Sequence, residues 1–162
     1  MPFSGCNPGQ VLGQLLRQKD ETIAVAETTT GGLVSARIVA IPGSSAYFDR
    51  GIVAYSKASK IASLGIDEAK LDELGAVSPE CAALLAESIR DLSGTTYGLA
   101  ETGIAGPIRG RSAKPIGTAY VALAGPKETE VLTLALEGDR QAIQQGIADE
   151  AIDFVVKCLT SE

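Results

Sequence analysis

The chain has 162 residues, 45% of them hydrophobic, and a formal charge of −6 from 14 lysines and arginines against 20 acids. That length suits one domain, residues 1–162, since a second would need its own core. It contains no histidine, which excludes Ser-His-Asp and Cys-His catalysis, histidine-ligated zinc and a histidine pH switch.

Asn7-Pro8 opens a helix, with asparagine as N-cap and proline at the first helical position, and Val11, Leu12, Leu15 and Leu16 form its apolar face to about Lys19. Residues 22–26 have strand length and composition. They end in Glu27-Thr28-Thr29-Thr30-Gly31-Gly32, after which Leu33, Ala36, Arg37 and Ala40 fall at helical spacing. The pattern predicts a strand, a tight glycine turn and a helix, which Ile41-Pro42-Gly43 stops.

Residues 46–55 predict a second strand. Ser56 caps a short helix through Ile61, Asp67 caps another through about Leu74, and Ser78-Pro79 starts a longer one carrying Cys81, Leu84, Leu85, Ser88, Ile89 and Leu92. Residues 96–100 predict a third strand, which runs into the loop Thr102-Gly103-Ile104-Ala105-Gly106-Pro107. Residues 117–123 and 130–136 form a hairpin around Gly125-Pro126. Asp139 caps a last helix whose buried stripe is Ile143, Ile147, Ala151, Phe154, Val155 and Cys158. Helices alternating with strands and a closing antiparallel hairpin imply an α/β fold, a mixed sheet covered on both faces.

Cys6, Cys81 and Cys158 lie far apart, without a CxxC pair, and core packing accounts for the last two better than redox chemistry does. No apolar run approaches the roughly 18 residues of a membrane span. Residues 1–5 lack a charged segment followed by an apolar one, so a cytoplasmic protein without a membrane partner is expected.

Charge is segregated. Residues 102–127 hold Arg109, Arg111, Lys114 and Lys127 and no acid, and residues 28–66 carry a net +3, so the remainder carries −13. An acidic chain with two cationic segments is unsuited to coating nucleic acid. It suits a small anionic ligand, although solvated loop charges would give the same count.

In an open α/β sheet, ligands bind beyond the carboxyl ends of strands. Two loops qualify, 27–32 and 102–115. The amides around Gly31 and Gly32 head a helix, where they can hold a phosphate or an oxyanion; alternatively, Thr28, Thr29 and Thr30 simply cap that helix. The second loop adds Thr102, Gly103, Gly106 and Gly110 with three cations. Between the loops lies Tyr55-Ser56-Lys57-Ala58-Ser59-Lys60. Without histidine, a lysine is the base available to a hydroxyl nucleophile, yet helical spacing alone makes Lys60 an exposed surface residue. No acid spacing indicates a metal site.

These segments together resemble one family. The residues 26–33 (AETTTGGL), Pro42 to Phe48, Gly51 to Ser56, Lys60, Gly65, Gly75 to Ser78, Thr102 to Pro107 and Lys114 to Thr118 are similar, in order, to the motifs of the CinA C-terminal domain, the nicotinamide-mononucleotide amidohydrolase family. The resemblance spans about residues 9–157. It implies a three-layer α/β/α sandwich with a mixed, mostly parallel five-stranded sheet, and a homo-oligomer. It also implies hydrolysis of the carboxamide of nicotinamide mononucleotide, with no cofactor.

The proposed family nucleophile, the serine of AESCTGG, corresponds to Thr28, and the next two motif residues to Thr29 and Thr30. The family tyrosine and lysine match Tyr55 and Lys60, the hydroxyl residue of TGIAGP matches Thr102, and the arginine of GDR matches Arg140. The resemblance thus makes Thr28, Lys60, Tyr55 and Thr102 catalytic, and Thr30, Gly31, Gly32, Gly103, Gly106 and Arg140 substrate-binding. Three departures stand out: the methyl group of Thr28, Glu101 where a small or apolar residue is usual, and residues 108–113 in place of a glycine-rich stretch. They motivate a second expectation, a paralogue that binds a nucleotide or other small phosphorylated ligand without turnover.

Overall fold

In a computed structural model, which describes residues 5–161, each helix whose cap was predicted from a side chain begins where that cap stands. The Asn7 side chain accepts from the Gly9 amide at the head of α1 (Pro8–Lys19). Ser56, Asp67, Ser78 and Asp139 do the same for α3 (Lys57–Leu64), α4 (Glu68–Leu74), α5 (Pro79–Ser93) and α6 (Arg140–Thr160). Each satisfies a backbone donor that has no partner inside its helix. The exception is α2 (Leu33–Val39), whose N-cap is Gly32 at φ 109° and which has no hydroxyl cap. The sequence reading of residues 1–4 lies outside the described residues.

The strands are β1 (Ile23–Glu27), β2 (Phe48–Val53), β3 (Tyr97–Gly103), β4 (Thr118–Ala124) and β5 (Thr129–Ala135), in the order β2-β1-β3-β4-β5. β2, β1 and β3 are parallel, β4 is antiparallel to β3, and β5 returns antiparallel to β4. The sheet is therefore mixed, with four strands pointing one way and helices on both sides.

Two expectations about strands need correction. Residues 44–46 form a 3₁₀ turn, so β2 starts at Phe48 rather than 46. β3 continues through Thr102 and Gly103, which pair with Tyr120 and Ala119 of β4. The ladder to a distant strand overrides the local glycine signal that had placed both residues in a loop.

The two faces of the sheet differ in size of side chain. Ile23, Val25, Tyr97, Leu99 and Val121 face α1 and α6 and meet Leu12, Leu16, Ile147 and Val155. Ala24, Ala26, Ala100, Ala122 and Ala124 face α5 and meet Leu85, Ala86 and Ile89. The alanine face lets α5 lie close on the sheet. At Gly98 the approach is close, for a β-carbon there would fall 2.1 Å from the Ala86 carbonyl oxygen. Cys81 and Cys158 are buried in these layers. Among the described residues no helix is long and apolar enough to cross a membrane.

From β1 the chain crosses first to β2 on one side and later to β3 on the other. The carboxyl ends of β1 and β3 thus flank the point where the winding reverses, where open α/β sheets form a crevice.

Candidate functional site

A pocket of about 310 Å³ opens at that point, lined by Thr28 and Thr29 after β1, Tyr55 and Lys60 beside α3, Thr102 and Gly103 on β3, Ile108 and Arg109 on the following loop, and Arg140 on α6. Small-molecule sites span roughly 300–1,000 Å³. The charged residues lining it are Lys60, Arg109 and Arg140, all cationic. In a chain of net charge −6, that is a local inversion of sign. Among the described residues, no cluster of three or more cysteines and carboxylates is placed to hold a metal ion.

All four residues expected to be catalytic line this one pocket, as do Gly103 and Arg140. Thr30, Gly31, Gly32 and Gly106 do not. Thr30 is buried. Gly106 acts through its carbonyl, which accepts from Arg140 Nη1 at 2.8 Å, while Arg140 Nη2 donates to the Tyr55 hydroxyl at 3.1 Å. Arg140 is thus fixed against the rim.

Lys60 is the largest departure from local spacing. It is 7% exposed, because α3 packs on α5 through Leu64 and Ile61 and turns this position inward. Its Nζ donates to the Tyr55 carbonyl at 2.9 Å. Burial lowers its pKa below the ordinary 10.5, against opposing pulls from Cys81, Glu101 and Tyr55. The same burial raises the Cys81 thiol, with Lys60 pulling it down.

Beneath the turn lie two carboxyl groups. β1 and β3 run in register, Ala26 beside Ala100, so Glu27 and Glu101 lie on the same face of neighbouring strands. Both are essentially without solvent contact. Glu27 Oε1 accepts from the Thr30 hydroxyl (2.6 Å) and the amides of Gly32 (3.1 Å) and Val34 (2.8 Å); Oε2 accepts from the amide and hydroxyl of Ser35. This carboxylate, five residues upstream of Gly32, caps α2. The Gly32 amide, expected to face outward for a phosphate or oxyanion, is therefore already paired, and the threonine hydroxyls do not cap the helix.

Glu101 Oε1 accepts from the amides of Thr28 (2.6 Å) and Thr30 (3.0 Å) and contacts the Thr30 hydroxyl (2.8 Å). The Thr28 hydroxyl donates to the Glu101 carbonyl at 2.9 Å, the Thr29 hydroxyl to the Gly103 carbonyl, and the Thr102 hydroxyl to the Ala76 carbonyl at 2.6 Å. Gln144 of α6 holds the Thr29 carbonyl from above. Sequence reasoning missed Glu27 as a cap and Gln144 as a clamp. The signal for Glu27 was strand alternation, which places it on the same buried face as Ile23 and Val25.

The sequence model of the CinA C-terminal domain matches residues 8–159. The chain belongs to the CinA C-terminal domain family. A CinA-like protein of Frankia casuarinae is 46% identical over 151 residues, 93% of this chain and 34% of that protein. A CinA-like protein of Geotalea uraniireducens is 46% identical over 151 residues, covering 93% and 36%. The chain spans about a third of the length of these curated relatives. Among solved structures, the competence or damage-inducible protein from Enterobacter asburiae superposes with a TM-score of 0.89 at 28% identity, covering 94% of this chain and 96% of that one. The CinA fold expected from the motifs is the fold observed: a three-layer sandwich around a mixed five-stranded sheet.

Proposed function

We propose that this CinA-family domain hydrolyses the carboxamide of nicotinamide mononucleotide to the acid and ammonia. The observation that carries the reading is a hydroxyl, Thr28, and a buried lysine, Lys60, sharing a pocket whose charged lining residues are all cationic. Thr28 Oγ1 attacks the carboxamide carbon and gives its proton to the free amine of Lys60. Ammonia leaves with a proton returned by Lys60, and water then cleaves the ester to release the acid and restore Thr28. A lysine can accept a proton only as the free amine, and burial favours that form. Arg109 and Arg140 take the phosphate; Tyr55, held by Arg140, borders the ring.

The test is ammonia release from pure protein and nicotinamide mononucleotide. Release that requires Thr28 is the expected result, and no release from wild type together with saturable binding overturns it. That second outcome is the alternative reading, ligand binding without turnover. It is favoured by one observation: the Thr28 hydroxyl already donates to the Glu101 carbonyl, and must leave it to react.

A further inference from the structure

Thr30 stands between two buried carboxyl groups, its oxygen 2.6 Å from Glu27 Oε1 and 2.8 Å from Glu101 Oε1. A hydroxyl has one hydrogen and cannot satisfy two carboxylates at once. The shorter contact, to Glu27, takes it. Glu101 Oε1 then meets the Thr30 oxygen at close range without a hydrogen between them, a contact a neutral carbonyl oxygen bears better than a full anion.

The remaining partners are divided just as unevenly. Glu27 receives four donors besides Thr30, two on each oxygen. Neither oxygen of Glu27 is left without a donor. Glu101 receives two amides on Oε1, and its Oε2 is buried with no hydrogen-bond partner. An unpaired buried hydroxyl costs far less than an unpaired buried charge.

We propose that Glu101 is a positioning residue held as a neutral carboxylic acid, its carbonyl oxygen gathering the Thr28 and Thr30 amides and its proton on Oε2. The turn that carries Thr28 is then fixed from below by an unequal pair, a fully partnered Glu27 and a neutral Glu101.

The charge environment agrees. Burial raises the Glu101 pKa above its ordinary 4.5, and Glu27 on β1 pushes the same way against the bonds from Thr30 and Thr28. Lys60 on α3 is the cation that feels it. Opposite Glu101 on β4 stands Val121. On α6, Arg140 is engaged with Gly106 and Tyr55, and Gln144 with Thr29. A neutral Glu101 also removes a charge that would hold Lys60 protonated. The inference stands on the turn itself, whatever ligand the pocket takes.

The experiment compares wild type, Glu101→Gln and Glu27→Gln by melting temperature across pH, with carbon-13 NMR of the Glu101 carboxyl in wild type. Glutamine reproduces a neutral acid, oxygen toward the amides and NH₂ at Oε2, but sets an NH₂ against the donors around Glu27. The expected result is that Glu101→Gln melts within a few degrees of wild type at neutral pH and Glu27→Gln melts lower by at least about 5 °C. Because the folded pKa of Glu101 is raised, its contribution is present at low pH and lost as pH climbs through that raised value. Glu101→Gln should abolish that slope. Equal losses in the two variants, a slope that survives in Glu101→Gln, or a Glu101 carboxyl that titrates near 4.5 would overturn the proposal. If Glu27→Gln fails to fold, the NMR titration of wild type still decides.

Discussion

Thr28 is tied to Glu101 twice: its amide donates to the carboxyl at 2.6 Å and its hydroxyl donates to the main-chain carbonyl at 2.9 Å. The first bond sets where Thr28 lies, and the second sets its side-chain rotamer. A threonine is stiff about χ1 because its β-carbon carries two heavy atoms, so the hydroxyl swings toward a ligand only by carrying its methyl group along. A serine at this position has the same reach without that group.

Thr28→Ala is therefore expected to abolish ammonia release while leaving the fold intact, since the backbone bond to Glu101 survives. Thr28→Ser should keep or raise the rate. Initial rates with nicotinamide mononucleotide check both. Undiminished activity in Thr28→Ala would transfer the nucleophile to Thr29 or Thr102, the other threonines of the pocket lining.

Lys60 makes a prediction with two signs. Its lowered pKa means that the folded protein disfavours the charged form. Stability should thus rise with pH between the lowered value and the 10.5 of the unfolded chain, where the unfolded state binds more protons. Activity should rise over the low-pH side of the same transition, as the free amine appears. Lys60→Met should cut turnover by at least about a hundredfold, the usual scale of general-base loss, and remove that pH limb without lowering the melting temperature. A pH–rate profile that is unchanged in Lys60→Met would discard the lysine as base.

Arg109 and Arg140 separate ligand capture from rim architecture. Arg109 sits exposed on the loop after β3, whereas Arg140 also braces Gly106 and Tyr55. Arg109→Ala should raise KM for the mononucleotide roughly tenfold or more with little change in kcat, the loss expected for a charge-assisted contact to phosphate. Arg140→Ala should affect both constants. Inhibition by inorganic phosphate, weakened in Arg109→Ala, gives an independent check.

What could be read from sequence was local chemistry. Asn7, Ser56, Asp67, Ser78 and Asp139 cap their helices because each bond joins residues two or three apart, and the strand-turn-helix at 22–40 follows from period and glycine alone. The candidate residues could be gathered only through the family motifs, because the pairing of β1 with β3 brings Thr28 and Thr102, more than seventy positions apart, to one pocket. The burial of Lys60 and the capping of α2 by Glu27 were hidden for other reasons. Helical spacing shows one side of α3 facing the protein but not how deep that side sits, and a glutamate ending a strand reveals its acceptors only once the neighbouring turn is folded over it.

The closeness of α5 to the sheet gives the last prediction, and it concerns Gly98. Its φ is not in the left-handed region, so the residue is not demanded by backbone conformation. It is demanded by space. An added β-carbon would sit 2.1 Å from the Ala86 carbonyl oxygen and 2.7 Å from Arg90 Cβ, and the first of these is helix backbone that cannot rotate away. Gly98→Ala must therefore push α5 off β3, opening the contacts that Leu85 and Ile89 make with the alanine face. Overpacking of this kind costs about 3 kcal/mol at the upper end of its usual range. For a domain of this size that is a fall of roughly 6–12 °C in Tm. α5 also leads back from Ala76 and Val77 at the pocket wall, so the same shift should loosen the Thr102 hydroxyl from the Ala76 carbonyl and raise KM. Calorimetry and initial rates measure the two effects, and a Gly98→Ala protein that melts within a degree or two of wild type would mean that α5 is free to ride further from the sheet than its contacts indicate.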